Sequence, residues 1–190
     1  MRAGIDILFS SRRFAMKTIL VTLGVSALLG VLAALAVIYS GDFNVAAPVT
    51  DAAPLRWVLV TTREASIKRH AQGIRVPALG GAQQVENGFR IYREMCVMCH
   101  TPVGRTPTPM AIGLNPQAPS FGEGADEMSA AELFWVTKNG IRFTGMSAWG
   151  SSRSDQEIWD VVAFMMALPK MNAADYDVLD RRVPPGSAPQ

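Results

Sequence analysis

The feature that most restricts how this chain can fold is the run Thr18–Tyr39, TILVTLGVSALLGVLAALAVIY, 22 residues without a charged side chain. About 20 apolar residues suffice to cross a bilayer as a helix, and in lipid a lone segment satisfies its backbone hydrogen bonds only as a helix. Arg2, Arg12, Arg13 and Lys17 precede the run, whereas Asp42 and Asp51 follow it before the next basic residue, Arg56. Basic flanks stay on the cytoplasmic side. The pattern predicts a cytoplasmic end (1–17), a transmembrane anchor (18–39) and export of everything beyond. A cleaved export signal is the competing reading. Signal cores are shorter, about 7–15 residues, and the small-residue site Val45-Ala46-Ala47 is followed by an unfavourable Pro48.

Charge divides unevenly. Residues 1–80 carry nine Lys/Arg and four Asp/Glu; residues 81–190 carry nine and twelve. A net-acidic second part lacks the basic face that nucleic-acid binding needs, so no nucleic-acid partner is expected. Residues 40–80 read as a linker rich in proline and small residues, then a short amphipathic helix over 55–72. That helix would lie on lipid or pack on the domain that follows. The domain itself spans 81–170, and 171–190 read as a frayed tail.

Within 81–170 three helices are predicted. The first runs from Gln83 to Cys99, with Val85, Phe89, Tyr92, Cys96 and Cys99 recurring on one face. The second opens at Ser129 with Glu132 three residues on and ends at Gly140; the third opens at Ser154 with Glu157 three on and stops at Pro169. Both openings are capping boxes. Between the first two helices lies a long stretch rich in proline and glycine, a length of loop usually reserved for function. So small a domain buries little core, and a large apolar cofactor would make up the deficit.

Both cysteines and one of the two histidines fall within CVMCH, residues 96–100. A structural zinc site needs four ligands, and only His70, in another segment, remains. A redox pair of the thioredoxin type needs a βαβ context that is missing here. A plain disulfide leaves the histidine unexplained. C-x-x-C-H is the signature of c-type haem attachment: Cys96 and Cys99 form thioethers with the two vinyl groups and His100 binds the iron as proximal ligand. The second axial ligand comes from elsewhere. Met146 is preferred, because Gly140, Gly145 and Gly150 let its loop approach a flat ligand; Met110 is the reserve and His70 a remote third. Met95 and Met98 lie in the attachment segment and face away, and Met165 and Met166 read as core or surface filler.

The segments GFRIYREMCVMCH, LNPQAPSF, ELFWVTKNGIRFTGMSAWG and DQEIWDVVAFMMALP resemble class I c-type cytochromes with one haem, most closely the membrane-anchored bacterial type. The resemblance implies an all-α fold, a small class I cytochrome c domain with about three main helices around one haem, preceded by a single transmembrane helix. It implies that Gly88 and Tyr92 meet Trp159 or Phe164 where the first and last helices cross, and that Pro119 offers its carbonyl to His100 Nδ1. Thr101 and Ser147 depart from the family's usual glycine and proline, which touches loop shape and not the ligands. Trp135, Trp149 and Trp159 are expected to pack around the macrocycle, and Trp149 to reach a haem propionate.

The expected function is electron transfer without enzymatic turnover. A single covalent haem c would carry electrons between a respiratory donor and a terminal oxidase or reductase, tethered through lipid to the periplasmic face of a bacterial inner membrane. The alternative is a cytochrome c subunit of a larger membrane dehydrogenase, oxidase or reductase.

Overall fold

The computed structural model describes residues 2–121 and 128–184. Its described residues form seven α-helices and no strand. The chain divides into two compact units, Met1–Val49 and Thr50–Gln190.

The first unit is one long helix, α1 (Arg2–Ser40). The stretch Phe14–Ser40 within it is long and apolar enough to cross a membrane, and its side chains are exposed. The helix thus starts well before the uncharged run.

The second unit holds α2 (Ala53–Ala71), α3 (Ala82–Met95), α4 (Pro109–Gly113), α5 (Ala130–Asn139), α6 (Asp155–Ala167) and α7 (Ala173–Arg182). Its centre is α3 packed on α6. Phe89 and Tyr92 of α3 are fully buried, as are Val162 and Phe164 of α6. The Phe164 ring lies 5.3 Å from Phe89 and 5.0 Å from Tyr92. Each such side chain contributes roughly 1.5–3 kcal/mol by leaving water. Gly88 lets the two helices approach: a Cβ there would run into the Asp160 carbonyl and stand 3.0 Å from Phe164 Cβ. The expected meeting of Gly88 and Tyr92 with the last helix is therefore present. Trp159 packs instead on Phe134 of α5, centroids 4.1 Å apart and planes 15° apart.

Three boundaries differ from the sequence reading. The first domain helix ends at Met95, not at Cys99, because the N–H groups of Cys96 and Val97 both turn onto the Tyr92 carbonyl. The long connection contains α4, capped by the Thr108 hydroxyl accepting from Ala111 N–H. Of the expected tail, 171–190, residues 185–190 lie outside the described residues, and 171–184 are not frayed. Asn172 and Asp175 form a reciprocal cap for α7, which buries Tyr176 and Leu179 in the core, with Val183 buried just after its end. Arg93–Asp180 (2.9 Å), Arg182–Glu86 (2.8 Å) and Arg105–Asp177 (2.6 Å) tie α7 to α3 and to the loop after the cysteines.

The predicted helix over 55–72 is α2, and its C-terminal half takes the second of the two expected placements. It packs on α5, with Ile67 and Ala71 buried and His70 stacked on Trp135 at 5.2 Å.

Both predicted capping boxes are formed, at Ser129/Glu132 and Ser154/Glu157. Glu157 accepts from the Ser154 N–H at 2.8 Å and pairs with Arg153 at 3.0 Å. The Ser154 backbone bond is the main cause holding its carboxyl below the usual range, with Ser154 Oγ and Arg153 adding to it against partial burial. A depressed folded pKa gives stability that is full above the unfolded value and is lost as pH falls through the folded one. Glu157→Gln is expected to lower stability by about 0.5 kcal/mol at pH 7, a deficit that shrinks below pH ~4 as the wild-type carboxylate protonates. Thermal melts from pH 7 to pH 3 measure it; a deficit constant across that range would contradict the assignment.

Candidate haem site

Where α3 ends, Cys96 takes the C-cap position with φ −100° and ψ −32°. The N–H groups of Cys99 and His100 then both reach the Cys96 carbonyl, at 3.1 and 2.8 Å. Cys96–His100 is one tight turn rather than the last turn of a helix. Both cysteines are free and half-buried. Burial, and secondarily the neighbouring Cys99, pushes the Cys96 thiol up to about 12, so it stays protonated at neutral pH.

His100 is buried and held on three sides. The Tyr92 hydroxyl donates to its carbonyl at 3.3 Å, and its ring stacks on Phe121 with centroids 4.5 Å apart. Its Nδ1 lies 2.8 Å from the Pro119 carbonyl oxygen. A carbonyl can only accept, so Nδ1 carries the hydrogen and Nε2 keeps its lone pair. Burial lowers the imidazole's pKa, and the Pro119 bond opposes this without reversing it. The ring is neutral, with Nε2 the basic nitrogen that metal binding requires.

The second segment runs from Gly140 to Gly150. Gly140 has φ 66°, and a Cβ there would lie 2.7–2.8 Å from the backbone of Met146, Ser147 and Ala148. The loop closes on itself. Ile141 N–H donates to the Met146 carbonyl at 3.1 Å, and Met146 N–H donates to Thr144 Oγ1 at 3.1 Å. Thr144 Oγ1 in turn donates to the Ile141 carbonyl at 2.8 Å. Met146, half-buried, is fixed at both its backbone groups. Gly145 leaves room for Leu114, whose Cδ2 would stand 2.7 Å from a Cβ at that position.

Phe143, in the same loop, has φ 61° and is 85% exposed. That conformation costs a side-chain-bearing residue roughly 1–2 kcal/mol. Glycine would remove the strain but add roughly 0.5–1 kcal/mol of unfolded-chain freedom. Phe143→Gly is expected to raise stability by about 0.5 kcal/mol, read as a higher thermal midpoint. A lower midpoint would show that the ring makes contacts that outweigh the strain.

The remaining candidates distribute as follows. Met110 is exposed on α4, whose N-cap Thr108 donates its hydroxyl to the Met98 carbonyl. Met98 itself is exposed. Trp149 begins a short 3₁₀ turn and lines a narrow cleft with Met95, Cys96 and Arg153. His70 is engaged with Trp135 and with the Ser66 carbonyl, 2.8 Å from Nδ1. Sequence reading passed over Arg153, whose side chain is 11% exposed and donates to Met95 Sδ at 3.1 Å. Its place four residues before Glu157 was the available signal.

A tight turn offering two thiols and a neutral imidazole with Nε2 uncommitted, on an all-helical scaffold, suits a c-type haem by the chemistry of its donors. The comparison with known families supports a monohaem c-type cytochrome domain, for which haem-based electron transfer with redox partner proteins is the implied role. Residues 83–165 match the family model described as cytochrome c oxidase, cbb3-type, subunit III. The match runs through α3, the cysteine turn, α5, the Met146 loop and most of α6, less than half of the 190-residue chain. No curated protein matches the chain.

Proposed function

We propose that this chain is a membrane-tethered cytochrome with one covalently attached haem, carrying single electrons between respiratory partners on the periplasmic face of a bacterial inner membrane. When bound, haem c supplies a one-electron ferric/ferrous couple whose potential His/Met ligation raises into the range of electron carriers. Cys96 and Cys99 would hold the group by thioethers, and His100 Nε2 and Met146 Sδ would bind its iron. Pro119 fixes the His100 ring and raises its basicity through Nδ1–H. Trp149 offers its indole N–H to a propionate. With both side chains on the iron, the group would serve electron transfer and would not offer an open position to a substrate.

The observation that carries this reading is the His100–Pro119 bond, which commits one ring nitrogen and frees the other beside two thiols. Haem staining of the denatured full-length chain tests it. Wild type should keep its stain, and Cys96→Ser/Cys99→Ser should lose it; an unstained wild type, matured in a host that attaches haem c, would refute the proposal.

The matched family description favours a second reading, a subunit of a larger oxidase-type complex. Purification in mild detergent separates the two: a lone 20.5 kDa chain supports the free carrier, and a stoichiometric assembly supports the subunit.

A further inference from the structure

Helix α2 has two unlike halves. Its C-terminal half is anchored on α5 through Ile67, Ala71 and the His70–Trp135 stack. Its first two turns carry Leu55, Trp57, Val58 and Leu59, which are 38%, 68%, 48% and 44% exposed. A tryptophan this open, among three aliphatic side chains, is unusual for a surface that meets only water. Arg56, exposed, sits among them. Over its whole length α2 has four Arg/Lys and one acidic residue, Glu64, which lies 3.7 Å from Arg63.

The position of this patch in the chain selects its occupant. Twelve residues, Gly41–Ala52, separate it from the end of α1, so it can lie no further than about 40 Å from that end. A tether so short gives an effective concentration high enough for weak surface affinity to suffice. The tether also bears exposed Phe43 and Val45. Tryptophan with aliphatic neighbours and arginine is the composition that settles at the headgroup level, where the indole spans apolar and wet layers and the guanidinium meets phosphate.

We infer that the first two turns of α2 dock into the phospholipid surface of the membrane that α1 spans, giving the haem domain a second lipid contact. The patch is a lipid-docking surface and not a protein interface. The inference goes beyond electron carriage and rests only on the membrane-span part of the proposed function.

The test uses the full-length, haem-loaded chain in nanodiscs of phosphatidylcholine and phosphatidylglycerol. The Trp57 emission is taken as the difference between wild type and Trp57→Phe, an exposed and conservative change. Lipids brominated near the carbonyl end of their chains should quench that component strongly. Leu55→Ser/Leu59→Ser should reduce this quenching severalfold and open Trp57 to acrylamide. A Trp57 component untouched by brominated lipid and open to acrylamide overturns the inference. So does shielding that arises only when solubilised native membrane proteins are added, since a protein then covers the patch. Alkaline carbonate extraction checks the span separately. Release of the chain would remove α1's span and the inference with it, while haem staining and the redox spectrum would leave electron carriage standing.

Discussion

Met146→Ala is expected to abolish the methionine–iron charge-transfer band of the ferric protein and to lower its reduction potential by a sizeable part of the roughly 0.8 V range that axial ligands span. The expectation rests on how tightly the loop is built. Met146 has both its N–H and its carbonyl committed within a six-residue loop, to Thr144 Oγ1 and Ile141 N–H. Gly140 admits backbone where any side chain would collide, and Gly145 leaves the place that the end of Leu114 fills. A ligand held this way needs little reordering to bind, which is the condition for a stable axial bond. Met110→Ala is the paired control. Met110 is 52% exposed on a five-residue helix, and its loss should leave band and potential in place. If instead the band survives in Met146→Ala and vanishes in Met110→Ala, the ligand assignment passes to α4. The proposed thioethers from Cys96 and Cys99 would keep the group in both variants, so the readout would not depend on haem retention.

Much of this was legible in the residues because it is local. The two Ser-x-x-Glu openings predict helix starts that the structure forms with both reciprocal bonds, since capping needs only four consecutive residues. The end of α3 was harder. Apolar residues keep helical spacing through Cys99, but the N–H groups of Cys99 and His100 share one carbonyl acceptor, a change of hydrogen bonding that leaves the apolar period intact. Helix α7 escaped notice because its cap is Asn172 with Asp175 and its buried residues are only Tyr176 and Leu179, with Val183 just after it ahead of a proline-rich end. The ion pairs from Arg93, Glu86 and Arg105 that hold it come from 72 to 96 positions away, a separation at which no short-range pattern reports. The same limit applies within the site. His100 could be picked from CVMCH alone, whereas the Pro119 carbonyl is a backbone group that any residue carries and entered only through resemblance to known cytochromes. Arg153 reaches Met95 across the packed helices, which its position beside a cap does not disclose.

Gly88→Ala is expected to lower stability by about 2 kcal/mol, even though alanine is the better helix former. In an open helix the exchange would gain about 1 kcal/mol. Here the added methyl meets the backbone carbonyl of Asp160 and the Phe164 Cβ. Neither can swing away as the end of a flexible side chain could; α3 and α6 must separate instead. Separation loosens Phe89, Tyr92 and Phe164, all fully buried, and through Phe89 the Tyr176 ring of α7 at 5.3 Å. Overpacking of this kind typically costs 1–3 kcal/mol, and the loosened aromatic core places this site at the top of that range before the helix-propensity gain is subtracted. The thermal midpoint should fall by on the order of 10 °C. Asn87→Ala, one residue earlier, removes only hydrogen bonds to Gln83 and Arg90 on the same helix and should shift it by a degree or two. Equal midpoints for Gly88→Ala and wild type would mean that the two helices do not approach through this glycine. A fall accompanied by loss of the methionine–iron band would show further that the crossing governs the site: Tyr92, one turn after Gly88, donates its hydroxyl to the His100 carbonyl, so widening the crossing would displace His100 directly.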